Sequence, residues 1–294
     1  MVRKYFMSRI VDLLAVLSVA GVLILAGCGQ GSSASGTSGA AGPTSTSTAR
    51  NTASATLKHE PEGTANIGWD PTSHGLTVKL SLVGLAPSST HPANIQSGSC
   101  VKKGAVIYPL NNVLADARGV GTSSTVINNV KTIPASGWFI NVHNGPGLAT
   151  ADQALSIVCN DLAFPNVSPT KMLSVQVPLN AAPGSGGSEM ASGTARLALS
   201  GTTLTVRLTL SGLQPHSSHA AHIHAGSCLN QGGAVIYPLS NVVAGATGNA
   251  SETTTVKNVK SIPASGWYVN VHYSTNLTTQ TGFQPITCGN VTPG

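Results

Sequence analysis

Charge and aromatic rings are scarce in this 294-residue chain: 8% of its residues are charged and 4% are Phe, Trp or Tyr. Lys and Arg number 15 against nine acids, a formal charge of +6, yet no basic run exceeds Lys102-Lys103. A nucleic-acid groove needs cations clustered along a phosphate track, so no nucleic-acid partner is expected. The paucity of rings also disfavours a stacking platform for bases or sugars. There is no phosphate loop, no dinucleotide fingerprint and no Gly-x-Ser-x-Gly nucleophile elbow, which removes the large nucleotide-binding and hydrolase classes. Past the N-terminal segment, no window sustains helical periodicity.

What the chain has in quantity is Gly, Pro, Ser and Thr, the residues of turns and short strands. In Thr205-Val206-Arg207-Leu208-Thr209-Leu210 the apolar residues share one face and the polar residues the other, the period-two pattern of a half-buried strand. Thr77-Val78-Lys79-Leu80-Ser81-Leu82 repeats it. Gly104 to Leu110 returns as Gly233 to Leu239, and Ile133-Pro134-Ala135-Ser136-Gly137-Trp138 as Ile262 to Trp267. Gly98-Ser99-Cys100 returns as Gly226-Ser227-Cys228 at an offset one residue shorter, so the second copy gains a residue near Gly232. A period this long means duplicated domains rather than a solenoid. They are placed at 56–163 and 188–294, with a linker over 164–187, and each reads as an antiparallel β-sandwich.

The N-terminus reads as an address. Arg3, Lys4 and Arg9 precede an apolar stretch ending in Leu25-Ala26-Gly27-Cys28. This pattern predicts a lipoprotein signal peptide over 1–27 and lipidation of Cys28, hence an exported, cell-envelope protein held to the membrane by a lipid anchor. Residues 28–55 collapse to Gly, Ser, Thr and Ala and predict a flexible tether.

Four cysteines remain: Cys100 and Cys159 in the first copy, Cys228 and Cys288 in the second. They permit three pairings, of which one bridge within each copy best suits an exported, duplicated chain. A thiolate metal site would need closer cysteines and a reducing compartment. Histidine is concentrated in the second copy, at His216, His219, His222, His224 and His272. In Ala221-His222-Ile223-His224 alternation puts both imidazoles on one strand face and Ile223 on the other. In Trp267-Tyr268-Val269-Asn270-Val271-His272 the core face is Trp267, Val269 and Val271, so His272 also points outward. Three neutral imidazoles on neighbouring strands suit copper, with zinc as the alternative. His219 reads as a turn residue bonded to backbone, with a fourth ligand or a support behind the ligands as the alternative, and His216 as solvated.

His222-Ile223-His224 with Gly-Trp-Tyr-Val-Asn-Val-His ending at His272 resembles a CHRD domain and, more widely, the copper/zinc superoxide dismutase fold. Gly212-Leu213-Gln214-Pro215 before the His-x-His strand and Thr287-Cys288-Gly289 near the C-terminus add to the likeness. The resemblance implies two tandem Greek-key sandwiches, all-β, each with one disulfide, and it puts His222, His224 and His272 on copper-ligand positions. It also exposes departures. The bridging histidine and zinc ligands have no counterpart, and the guiding arginine is Pro285 here and Ser156 in the first copy. His-x-His has become Asn94-Ile95-Gln96 in the first copy, leaving His91 and His143 without the strand pair. One copper per chain is therefore expected. The functional expectation is an exported copper-binding protein, with superoxide dismutation at copper and a metal-free structural or adhesive envelope module as the alternatives.

Overall fold

The computed structural model describes residues 51–182 and 190–294. The signal peptide, Cys28 and nearly all of the tether lie outside the described residues, as do 183–189. Among the described residues no helix is long and apolar enough to cross a membrane.

The chain runs β1 (Thr52–His59), β2 (Glu62–Asp70), β3 (Gly75–Val83), β4 (Thr90–Gly98), β5 (Lys103–Ala115), β6 (Gly121–Ile127), β7 (Trp138–His143), α1 (Ala151–Ala154), β8 (Ser156–Leu162) and β9 (Leu173–Ala181). It continues through β10 (Ser192–Ser200), β11 (Thr203–Ser211), β12 (Ser218–His219), β13 (Ala221–Ala225), β14 (Val235–Pro238), β15 (Val242–Val243), β16 (Ala250–Val256), β17 (Trp267–His272), α2 (Gln280–Phe283), β18 (Pro285–Asn290) and β19 (Thr292–Pro293). All inter-strand pairings are antiparallel.

Alternation in the sequence becomes alternation in burial. In β11, Leu204, Val206, Leu208 and Leu210 are buried while Arg207 and Thr209 are exposed. β10 and β11 are joined across Gly201-Thr202, and Gly201 takes φ +59°, a left-handed conformation that glycine supplies without steric cost.

Two sheets result. β2 to β9 form a closed barrel in the order β2-β3-β6-β5-β4-β7-β8-β9, and its core includes Ile67, Leu80, Ile95, Ile140 and Leu179. The second is an open sheet, β14-β13-β17-β18-β1-β10-β11-β16, with β19 beside β1 and the β12–β15 pair apart; its core includes Leu57, Val206, Leu208, Ile223 and Val269. Disulfides join Cys100 to Cys159 and Cys228 to Cys288, one within each copy. Each closes a loop of about 60 residues, which stabilises the fold by roughly 4 kcal/mol in the chain-entropy account.

The sheets do not follow the boundaries that composition suggests. Residues 164–187, read as linker, contain β9, which pairs with β2 and β8 and completes the closed barrel. The end of the expected tether lies in β1, which pairs with β10 and β18 in the open sheet. The two strands fill matching places: Leu179 lies opposite Gly63, and Leu57 opposite Gly193. Each copy's leading strand thus completes the other copy's sheet, and the described residues fall within one compact unit. Composition misses this because β9 and β1 alternate small or polar with apolar residues, and only pairing partners far along the chain bury their apolar faces.

Polar contacts tie the sheets together. Gln284 accepts from the Ala86 N–H and donates to the Gly84 carbonyl, and Gln280 both accepts from Thr90 N and donates to its carbonyl. The backbone N–H of Gln231 donates to Arg118 O at 2.9 Å, docking the loop after β13 on the β5–β6 turn.

Candidate metal centre

β13 and β17 are neighbours, with His222 opposite Asn270 and His224 opposite Tyr268. Ile223, Val269 and Val271 enter the core, which sends His222, His224, Tyr268, Asn270 and His272 to the other face. Register shifts occur between Ile223 and His224 and between Val271 and His272, local irregularities of the kind that re-aim side chains. The three imidazoles converge, each offering a nitrogen within 4.8 Å of the others.

This outer face is covered. His224 and His272 are 3% and 1% exposed, and His222 is half-buried. Phe283, at the end of α2, stacks on His272 with ring centroids 5.0 Å apart, and Tyr268 stacks on His224 at 4.9 Å. Sequence alternation gives the face, Tyr268 included, but not its lid, because Phe283 comes from a helix of one turn outside the strand pattern.

Backbone carbonyls fix two of the rings. The last turn of a helix leaves carbonyls without intrahelical donors, and in α2 the Phe283 carbonyl accepts from His272 Nδ1 at 2.7 Å. The Gly233 carbonyl accepts from His224 Nδ1 at 2.8 Å. Gly233 runs so close to the Ala225 carbonyl that a Cβ there has no room. A carbonyl can only accept, so Nδ1 of both rings carries the proton and Nε2 holds a lone pair. Both Nε2 atoms are buried without a hydrogen-bond partner, as is His222 Nδ1. Burial pushes His272 down to about 4, and it also holds His222 and His224 below the ordinary imidazole range, with the charge of His224 adding to the effect on His222. Three neutral imidazoles with unused lone pairs are a fitting donor set for a metal ion. Among the described residues this is the one cluster of three or more His, Cys, Asp or Glu donors so arranged.

His219 supports the site from behind. It is buried, its Nδ1 donates to the His272 carbonyl at 2.9 Å, and Ser217 Oγ lies 2.6 Å from its Nε2. His216 occupies an exposed turn at φ +62°.

The closed barrel builds the same corner with other groups. His143 Nδ1 donates to Ala154 O at the end of α1, as His272 does to Phe283. Its Nε2 accepts from Asn94 Nδ2 at 3.0 Å, and Gln96 Nε2 donates to Asn94 Oδ1 at 2.7 Å. His91 repeats His219: Nδ1 bonds the His143 carbonyl at 2.8 Å, and Ser89 Oγ lies 2.7 Å from Nε2. Desolvation lowers the His143 pKa, and the charge of Lys103, whose Nζ donates to Ser156 Oγ, lowers it further.

Sequence reasoning passed over Tyr268, Phe283, Asn270 and Gln231. The signal for Gln231 was the residue gained near Gly232, since an insertion beside a His-x-His strand marks a loop of altered shape.

No curated protein matches the chain. A protein-family model, the CHRD domain, matches residues 175–278, a segment that opens inside β9 and contains all three histidines of the cluster.

Proposed function

We propose that this protein is an exported, lipid-anchored copper-binding protein that holds one ion per chain on His222, His224 and His272. The observation that carries the reading is the convergence of three buried, unpartnered imidazole nitrogens, two of them fixed with their lone pairs free by carbonyls at 2.7 and 2.8 Å. A set of imidazoles alone, without thiolate or carboxylate, suits late divalent metals, and copper stands highest in their affinity order. Copper there supplies Lewis acidity and a redox couple; the chain's own groups orient the rings, exclude water and keep the ligands neutral. Export and anchoring rest on Leu25-Ala26-Gly27-Cys28 and are tested by Cys28→Ala, which releases the protein from the membrane fraction.

The deciding experiment is copper titration of the mature chain, beginning no later than residue 51 so that β1 is kept. One equivalent bound tightly is expected, and His224→Ala weakens binding more than about 100-fold. Absence of binding to the unmodified chain returns the choice to a metal-free envelope module.

A further inference from the structure

Beside the three imidazoles lies Asn270, 1% exposed, with its Oδ1 buried and unpartnered. A series of bonds that runs in one direction sets its orientation. The Cys228 carbonyl can only accept, so Gln231 presents Nε2 to it at 3.0 Å. Gln231 then turns Oε1 toward Asn270, and Asn270 answers with Nδ2 at 2.8 Å. Its oxygen is what remains. Burying a carbonyl oxygen with no donor costs about 1–3 kcal/mol, and an oxygen left free beside three free ring nitrogens is an arrangement that a cation satisfies.

The closed barrel provides the control. Asn141 lies opposite Asn94 as Asn270 lies opposite His222. Between Cys100 and Gly104 stand only Val101, Lys102 and Lys103, where Cys228 and Gly233 enclose four residues including Gln231. Asn141 turns Nδ2 inward instead, 3.3 Å from His143 Nε2, so its Oδ1, also buried without a partner, is directed away from the ring, and the two copies differ in which end of the amide faces the corner. Two donors about 2.0–2.1 Å from a metal at the tetrahedral angle are themselves roughly 3.3 Å apart. An asparagine in this register therefore reaches its neighbouring ring at the spacing of adjacent ligands, and the gained residue reverses which end of the amide faces the ring.

We propose that Asn270 Oδ1 is the fourth donor of the metal site, giving three imidazoles and one amide oxygen. The inference rests on the copper reading above and extends it: Gln231 is a positioning residue, and its own backbone is held by Arg118 of the closed barrel, so the copy without the His-x-His pair steadies the site of the other.

The test uses the full chain loaded with one equivalent of Cu(II), read by competition titration and by electron paramagnetic resonance. Asn270→Leu keeps the size and removes the oxygen; affinity falls about 10- to 100-fold and the hyperfine pattern changes. Asn270→Asp replaces the amide oxygen with a charged one and tightens binding. Gln231→Leu weakens binding in the same direction but less, and Asn141→Leu alters neither readout. Unchanged affinity in Asn270→Leu, or lower affinity with an unchanged spectrum, overturns the fourth donor; if binding is still lost in His224→Ala, the three-imidazole reading stands alone. Should Asn270→Leu fail to fold by circular dichroism, Asn270→Asp decides, and an unaltered affinity and spectrum there overturn the proposal. An unmodified chain that takes up no copper overturns both.

Discussion

The closed barrel and the open sheet carry the same corner and complete it differently. In the barrel, the His143 lone pair is met by Asn94, Gln96 closes the network, and Lys103 stands near with its charge. In the open sheet, His222 and His224 replace the two amides, and no donor reaches the three ring nitrogens. Amides satisfy a ring nitrogen from within, whereas further imidazoles compete for the same kind of partner and leave lone pairs to be satisfied from outside. A buried polar group left unpaired is costly; both corners leave an asparagine oxygen unpaired, at Asn141 and Asn270, but only the open sheet adds three unpaired ring nitrogens to it, a cost that a bound metal ion would offset.

Strand exchange supplies the most severe way to break the comparison. Removing residues through His59 strips β1 from between β10 and β18 while the barrel keeps β2 to β9. Hydrogen exchange read by mass spectrometry is expected to show lost protection in β10 and β18 with β2 and β9 still protected; equal loss in both sheets would show that the halves do not fold as separate layers. A milder change erases the difference: Asn94→His with Gln96→His gives the barrel the missing pair opposite His143. Copper stoichiometry rises from one to two, and a value that stays at one points to the Lys103 charge as the remaining obstacle.

Glu60 lies where β1 passes into β2, between the sheets. Its Oε2 is buried without a partner, and burial, with the charge of Glu62 adding, pushes its pKa up to about 8. A folded pKa raised above the unfolded value means stability that is full below about pH 4.5 and lost as pH climbs through 8, at about 1.4 kcal/mol per unit between. Glu60→Gln removes that slope, which urea denaturation at pH 5, 6.5 and 8 measures. Buried His59 and His91 act oppositely: burial lowers both to about 4, so stability present above pH 6.5 is lost as pH falls toward 4. The smallest expected effect is His143→Ala, which leaves copper affinity unchanged but orphans Asn94 Nδ2 and costs about 1–3 kcal/mol of stability. A drop in copper affinity there would mean that the barrel's own corner takes part in binding.

Legibility from sequence followed physical range. The alternation of His222-Ile223-His224 and of Trp267 to His272 is local, because a strand's period of two is set by the backbone itself; both faces were readable and both appear in the structure. Asn270 shared the parity of His272 and was passed over because an amide on that face has no chemistry of its own until a neighbour orients it. The extent of β9 and β1 was hidden for another reason. Thr52 to Ala55 carry only small side chains, and the burial of Ala53 and Ala55 depends on Leu197 and Ala195, far away in the chain.

The amino-acid sequence by itself determined the all-β character, the duplication, the pairing of cysteines within copies and the candidate histidines, because turn residues, periodicity and repeat spacing are properties of short stretches. Tertiary structure alone decided that the leading strands cross between sheets, that His224 and His272 are buried despite facing outward, and that the Cys228 carbonyl, through Gln231, turns the Asn270 oxygen free. Each of those outcomes depends on groups brought together from distant positions, where burial and the one-way direction of a hydrogen bond, rather than local propensity, select the arrangement.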